Sequence, residues 1–156
     1  MSKILIAYFT ASGETRKAAE RLAKLCGGDL FEIVPETPYT DADVNYHNPL
    51  ARCNKEWALR RKVPAAGKAP HFEDYDLVLI GFPIWYGCAP LVVNSFAELH
   101  DFTGKRAAIF ATSIMSKMGK SAAKLQPHIK GTQITGERRI LAEDTDEDLK
   151  AWLKSL

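Results

Sequence analysis

Three hydroxyls and a glycine stand within six residues in Thr10-Ala11-Ser12-Gly13-Glu14-Thr15, directly after an apolar run and directly before a helical pattern. A phosphate group needs several hydrogen-bond donors converging on it, and loop amides at a helix N-terminus supply some of them. The hydroxyls of Thr10, Ser12 and Thr15 can supply more, and Gly13 lets the backbone come close. Arg16 and Lys17 lie just beyond, so no basic side chain sits within the loop itself. Donors of this kind favour a terminal monoester phosphate held by hydrogen bonds alone. The same residues also suit an ordinary helix N-cap, which needs no ligand.

A second constellation is Pro83-Ile84-Trp85-Tyr86-Gly87-Cys88-Ala89-Pro90, which follows a buried strand pattern. Two large aromatics beside a glycine are costly to expose without purpose. In open α/β sheets ligands bind outside the carboxyl ends of the strands, where the strand order reverses. There an aromatic pair offers a stacking surface for a flat ring; the alternative is that Trp85 and Tyr86 pack beneath a crossover loop. Two other phosphate motifs drop out. No G-x-G-x-x-G is present, so the dinucleotide fingerprint is missing. Gly119-Lys120-Ser121 imitates the end of a Walker A loop, but Ile114 stands where its first glycine belongs. Tyr46 and His47 could donate a proton near such a site, or simply be exposed; His71, His100 and His128 show no partner pattern, and no metal site is suggested.

The elements that must position these loops are legible in the hydrophobic pattern. Ile4–Phe9 and Leu77–Phe82 are continuous apolar runs, as parallel strands covered on both faces require, and Arg106–Thr112 has the same character. Leu30–Val34 reads as an edge strand and Gly136–Leu141 as a fifth. Ala18, Ala19, Leu22, Ala23 and Cys26 form one helical stripe over Glu14–Cys26, ended by Gly27-Gly28. Further helices are expected from Pro90 to about His100, from Lys120 to about Ile129 and from Asp146 to Leu156. In the long connection Pro35–Asp76, Asn48-Pro49 looks like a cap and first position, with Leu50, Cys53, Trp57 and Ala58 as the stripe of a crossover helix to about Arg61. Strands alternating with helices imply a doubly wound parallel sheet, and no linker or repeat divides residues 1–156, so one domain is expected.

Bulk properties narrow the function classes. The 156 residues suffice for one continuous core. No apolar run approaches the roughly 20 residues of a membrane span. The run Ile4–Phe9 is too short for a signal-peptide core, so a cytoplasmic protein is expected. Cys26, Cys53 and Cys88 are odd in number and widely spaced, which argues against a disulfide framework and a structural zinc site. A net charge of +2 is too small for a nucleic-acid binder.

Taken together, the two loops resemble those of the flavodoxin family. Thr10–Thr15, with Ala19 and Leu22 on the following helix, is similar to the family's phosphate-loop signature, although Ala7 is smaller than is usual there. Pro83-Ile84-Trp85-Tyr86-Gly87 with Ala89-Pro90, and Phe102-Thr103-Gly104-Lys105 before the fourth strand, are similar to a short-chain branch of that family. The resemblance runs from Lys3 to about Leu125. It implies a five-stranded sheet in order 2-1-3-4-5 and the cofactor FMN. Its phosphate would be held by Thr10, Ala11, Ser12, Gly13, Glu14 and Thr15, and its ring would lie against Pro83, Ile84, Trp85, Tyr86, Gly87, Thr112, Ser113, Ile114 and Met115. Trp85 or Tyr86 would stack on the isoalloxazine, and Gly87 would permit a peptide flip beside N5.

One departure concerns the ring end. Thr112-Ser113 is kept, but Ile114-Met115-Ser116-Lys117-Met118 replaces a glycine-rich turn, leaving only Gly119. Side chains at 114 and 115 would narrow the approach to the ring edge or cover it; Met115 and Met118 equally suit soft packing. Three functions follow: an FMN-dependent oxidoreductase passing electrons from NAD(P)H or a reductase to a quinone-like acceptor, an electron-carrier flavodoxin, or a module that has lost the flavin. Carriers of this family are typically strongly acidic, and this chain lacks that field. Arg52, Lys55, Arg60, Arg61 and Lys62 are either a solvated helix face or an attractor for an anionic substrate or the phosphates of NADPH.

Overall fold

The computed structural model describes residues 3–113 and 116–156. Five parallel strands lie in the order β2-β1-β3-β4-β5, with β1 Ile4–Tyr8, β2 Asp29–Glu32, β3 Leu77–Pro83, β4 Arg106–Thr112 and β5 Ile134–Ile140. The chain therefore reverses direction across the sheet after β2, and the carboxyl ends of β1 and β3 stand side by side, with Tyr8 paired to Gly81. The helices are α1 Glu14–Cys26, α2 Arg52–Ala58, α3 Leu91–Glu98, α4 Ser121–Leu125 and α5 Asp146–Lys154.

Both faces of the three central strands are apolar because both are covered. One face carries Leu5, Ala7, Val78, Ile80, Phe82, Ala107 and Ile109, and packs on Val92, Val93 and Phe96 of α3. The other carries Ile6, Leu79, Ala108 and Phe110, and packs on Ala18, Ala19 and Leu22 of α1 and Leu149 of α5. The stripe read from α1 is the buried one, and Glu14–Cys26 matches the expected span. Three thiols stay unpaired, with Cys53 and Cys88 buried.

The crossover helix is shorter than its sequence pattern suggested. Asn48 does not cap it: its side-chain oxygen accepts the Leu50 amide and its carbonyl the Ala51 amide, which makes a tight turn. Helix begins only at Arg52, and Leu50 is 72% exposed rather than part of an apolar stripe. An asparagine before proline is as good a turn former as a cap, and here the turn wins. The expected helix over 120–129 likewise gives way after Leu125 to a 3-10 turn at Gln126–His128, where Pro127 interrupts the amide ladder.

The motif Phe102-Thr103-Gly104-Lys105 lies at the opposite end of the sheet from the two loops. Phe102 is fully buried, and Lys105 is 8% exposed, donating its ammonium to the carbonyls of Tyr75 (2.7 Å) and Glu73 (3.3 Å). It ties the entry of β4 to the entry of β3, which makes it a scaffold feature. Beside it, the Tyr75 hydroxyl is pushed up to about 12 by burial first and then by its hydrogen bond to Asp29.

Candidate functional site

The phosphate-type loop sits where β1 ends and α1 begins, on the switch side of the sheet. Its side chains do not cap the helix. Gly13 itself is the cap residue, at φ 94°, and no side-chain oxygen meets the first turn. The first backbone bond of the helix runs from Lys17 to the Gly13 carbonyl, 3.1 Å. Among the described residues no acceptor meets the amides of Ser12, Glu14, Thr15 or Arg16. An ordinary cap would have used the hydroxyls for this purpose, so the loop leaves its donors available.

The hydroxyls are oriented by one another. Thr10 Oγ1 accepts the Gly13 amide at 2.9 Å, which leaves its own proton to give. Thr15, 1% exposed, lies 2.7 Å from the hydroxyl of Thr112 at the end of β4. Only one proton of that pair is consumed, so one hydroxyl still has a proton to donate. Ser12 is exposed and has no protein partner among the described residues. The nearby cations are already engaged: Arg16 with Glu32 at 2.5 Å and Lys17 with Glu14 at 3.2 Å. What remains is a neutral cradle of amides and hydroxyls at a positive helix end.

The second loop is a tight hairpin. Trp85 and Cys88 exchange both backbone bonds, 2.9 and 3.1 Å, around Tyr86 at φ 55° and Gly87 at φ 78°. Two successive left-handed residues define a type I′ turn. Glycine adopts that conformation freely, whereas at Tyr86 it costs about 1 kcal/mol or more. The tyrosine is held there by contacts on the crossover. Its ring stacks on Trp57 (5.0 Å, 11°), and its hydroxyl donates to Asn54 and lies 3.6 Å from Cys53 Sγ. Burial, and then the bond to Cys53, hold its phenol protonated well above the ordinary range.

Trp85 meets Phe9 and Tyr39 edge-on, at 5.6 and 5.5 Å. Tyr39 is braced in turn by the buried Glu56 (2.7 Å) and by the Arg52 guanidinium over its ring (4.1 Å). Both aromatics are therefore partnered by the crossover segment, the alternative that the sequence left open. Tyr86 stays 42% exposed.

The loops meet. Thr15 bonds Thr112, the Ile84 amide reaches the Thr112 carbonyl at 3.4 Å, and the Gly87 carbonyl accepts the Lys120 amide at 3.0 Å. Ser113 accepts the Ser116 amide at 2.9 Å. Residues 10–15, 83–87 and 112–113 are thus gathered at one edge of the sheet, while Ile114 and Met115 lie outside the described residues. Tyr46 and His47 lie with their rings in tilted contact on the exposed crossover, 4.2 Å between centroids. Sequence reasoning missed Tyr39, Glu56 and Trp57, whose roles depend on where the irregular crossover returns to the sheet. The Thr15–Thr112 pairing was also out of reach, because its members are separated by most of the chain.

A doubly wound sheet with an amide-and-hydroxyl cradle at its switch point and an aromatic hairpin beside it defines a nucleotide-cofactor-binding fold of the flavodoxin type. The family model described as "Flavodoxin" matches residues 3–156, and the chain belongs to the flavodoxin family. It is similar to a candidate flavoprotein from Bacteroides eggerthii, at 38% identity and TM-score 0.91, over 99% of this chain and 98% of that one. A second candidate flavoprotein, from Bacteroides uniformis, is 34% identical with TM-score 0.88 over 98% of each chain. A Lactobacillus acidophilus flavoprotein in complex with FMN shares the fold at 21% identity and TM-score 0.74, over 98% of this chain and 99% of that one. Among proteins of curated function, none matches the chain.

Proposed function

We propose that the chain is an FMN-binding redox protein that holds the flavin phosphate in the cradle of residues 10–16. The observation that carries this reading is the set of unused donors: the amides of Ser12, Glu14, Thr15 and Arg16 with the hydroxyls of Thr10, Ser12 and the Thr15–Thr112 pair. Gly13 supports it further, since the space beyond its α-carbon is open to 4 Å, as a close-approaching ligand requires. Membership of the flavodoxin family and the FMN complex of the Lactobacillus acidophilus relative point the same way.

The bound flavin would supply the one- and two-electron chemistry, and the protein's part is binding, orientation and access. The helix dipole and free amides of α1 would hold the phosphate dianion. The rigid turn at Tyr86-Gly87 would bound the ring on the side of β3, with Thr112 and Ser113 on the side of β4. The Gly87 carbonyl is already engaged by the Lys120 amide, so a flip of the 87–88 peptide would have to break that 3.0 Å bond. A flip of this kind beside N5 is therefore opposed in this chain.

For the reaction, we favour an oxidoreductase that takes electrons from a small reductant such as NAD(P)H and gives them to a quinone-like acceptor. The absence of an acidic docking field supports this over a carrier role, with 21 Lys and Arg against 19 Asp and Glu. The test is NADPH consumption by the FMN-loaded protein with a quinone present. Turnover supports the enzyme. No turnover, together with ready reduction by a flavodoxin reductase, makes it a carrier.

A further inference from the structure

A cavity of about 310 Å³ lies behind the aromatic hairpin, walled by the end of α2 on one side and by α4 on the other, with α3 as its floor. Its volume is at the low end of small-ligand sites. The walls are cationic. Arg60, Arg61 and Lys62 enter from the crossover and Lys124 from α4, against the single carboxylate of Glu98 among the lining residues. Glu98 is spent on Lys62 (3.4 Å) and His128 (2.5 Å). Arg60, Arg61 and Lys124 form no ion pair among the described residues.

The floor is polar and unused. Ser95 is only 5% exposed, yet it lines the cavity, and its hydroxyl meets no protein partner. Asn94 beside it also lines the cavity with its amide unpartnered among the described residues. Ser95 is nearly enclosed by protein yet opens onto the cavity, so its hydroxyl and the Asn94 amide are both free to bond a ligand there.

One of the cations is placed there at a conformational cost. The Arg61 amide bonds the Glu56 carbonyl (3.0 Å) and the Arg60 amide the Trp57 carbonyl (3.2 Å), which is a Schellman ending of α2. Its left-handed position normally belongs to glycine, yet it is Arg60, at φ 53°. The guanidinium lies over Trp57 at 4.9 Å. The fields of Lys124 and Arg60 also converge on one point: both pull down the Cys88 thiol, which burial otherwise raises.

We propose that this cavity is the seat for the phosphate of a small phosphorylated molecule, held by Arg60, Arg61 and Lys124 with Asn94 and Ser95 as hydrogen-bonding partners. Cations on facing walls of a concavity suit a compact anion better than the flat docking face of an acidic protein. Because the cavity is lined by Cys88 of the aromatic hairpin and by Trp57, on which Tyr86 of that hairpin stacks, the natural occupant is the phosphorylated reductant of the flavin. That role rests on the flavin reading; the phosphate site does not.

The test is a titration of pyrophosphate into isotope-labelled protein, followed by amide shifts, with the cradle of residues 10–16 either free or saturated with FMN. Saturable shifts at Asn94, Ser95, Arg61 and Lys124 in both forms are expected, weakening as salt is raised. Arg60→Gly with Lys124→Ala should weaken binding at least about tenfold, without lowering thermal stability, because glycine suits the left-handed position; Lys124→Arg should retain it. Shifts confined to residues 11–16, or none at millimolar pyrophosphate, overturn the proposal and leave a solvated basic face. NADPH binding tighter than NADH would assign the seat to a terminal monoester, and equal binding to the diphosphate; both support the site. If pyrophosphate binds here while FMN binds nowhere, the phosphate seat stands and the flavin reading falls.

Discussion

At the residue scale the candidate site depends on one hydroxyl pair and one left-handed glycine. The Thr15–Thr112 hydroxyl pair joins the cradle to β4, with Thr15 buried and Thr112 partly so. Thr112→Val should leave the Thr15 hydroxyl buried and unpaired, at a cost of about 1–3 kcal/mol in urea unfolding. Thr15→Val together with Thr112→Val should recover much of that loss. Strict additivity of the two single substitutions would show that the pair is not coupled. Gly13 stands at φ 94° with open space beyond it, so Gly13→Ala collides with nothing and pays only for its backbone conformation, about 1–2 kcal/mol. FMN affinity should fall in the same variant, because the added methyl occupies the face that a phosphate would approach.

At the element scale, helix ends explain what the sequence announced and what it concealed. The stripe Ala18, Ala19, Leu22 and the stop at Gly27 made α1 legible to the residue, since periodicity and a left-handed glycine cap are both local signals. The continuous apolar runs of β1, β3 and β4 are equally plain, and the run Arg106–Thr112 coincides with β4. The crossover was not legible. Asn48-Pro49 serves turn and cap alike, and only the tertiary position of residues 45–51 decides between them. The end of α2 was concealed because arginine occupies the position that usually announces itself as glycine. Arg60→Gly should therefore raise stability by about 0.5–1 kcal/mol; a loss of stability would mean that the arginine's contact with Trp57 outweighs the backbone cost. That the two loops lie together at the carboxyl edge was legible, because their residue types stand out and the strand order brings them there. Their partners Tyr39, Glu56 and Trp57 were not, because nothing local distinguishes them from packing.

At the scale of the whole molecule, one sheet with both faces covered gathers the two loops at its carboxyl edge and sets the buried Lys105 and His100 at the other. His100 belongs to the scaffold. It is 9% exposed, accepts the Ala69 amide on Nε2 at 3.0 Å, and has Nδ1 2.8 Å from the Phe96 carbonyl. Burial, its largest influence, depresses its basicity below the ordinary 6.5. The unfolded chain then binds the extra proton more readily than the folded one. Stability is full above about pH 6.5 and falls as the pH drops through and below that value. Urea midpoints measured across this range should decline on acidification, and His100→Gln should flatten the slope. An unchanged slope in that variant would place the acid sensitivity elsewhere. No helix among the described residues is long and apolar enough to cross a membrane.

If the cradle of residues 10–16 recognises a flavin by its phosphate, as proposed, FMN and riboflavin should differ sharply in their binding to the apoprotein. Quenching of flavin fluorescence should give FMN binding at micromolar protein and much weaker riboflavin binding. Ser12→Ala with Thr15→Ala should erase most of that difference by weakening FMN alone. Free-flavin fluorescence that persists unquenched at micromolar protein would mean that the cradle holds no flavin, and equal losses for FMN and riboflavin in the double variant would mean that the phosphate is bound elsewhere.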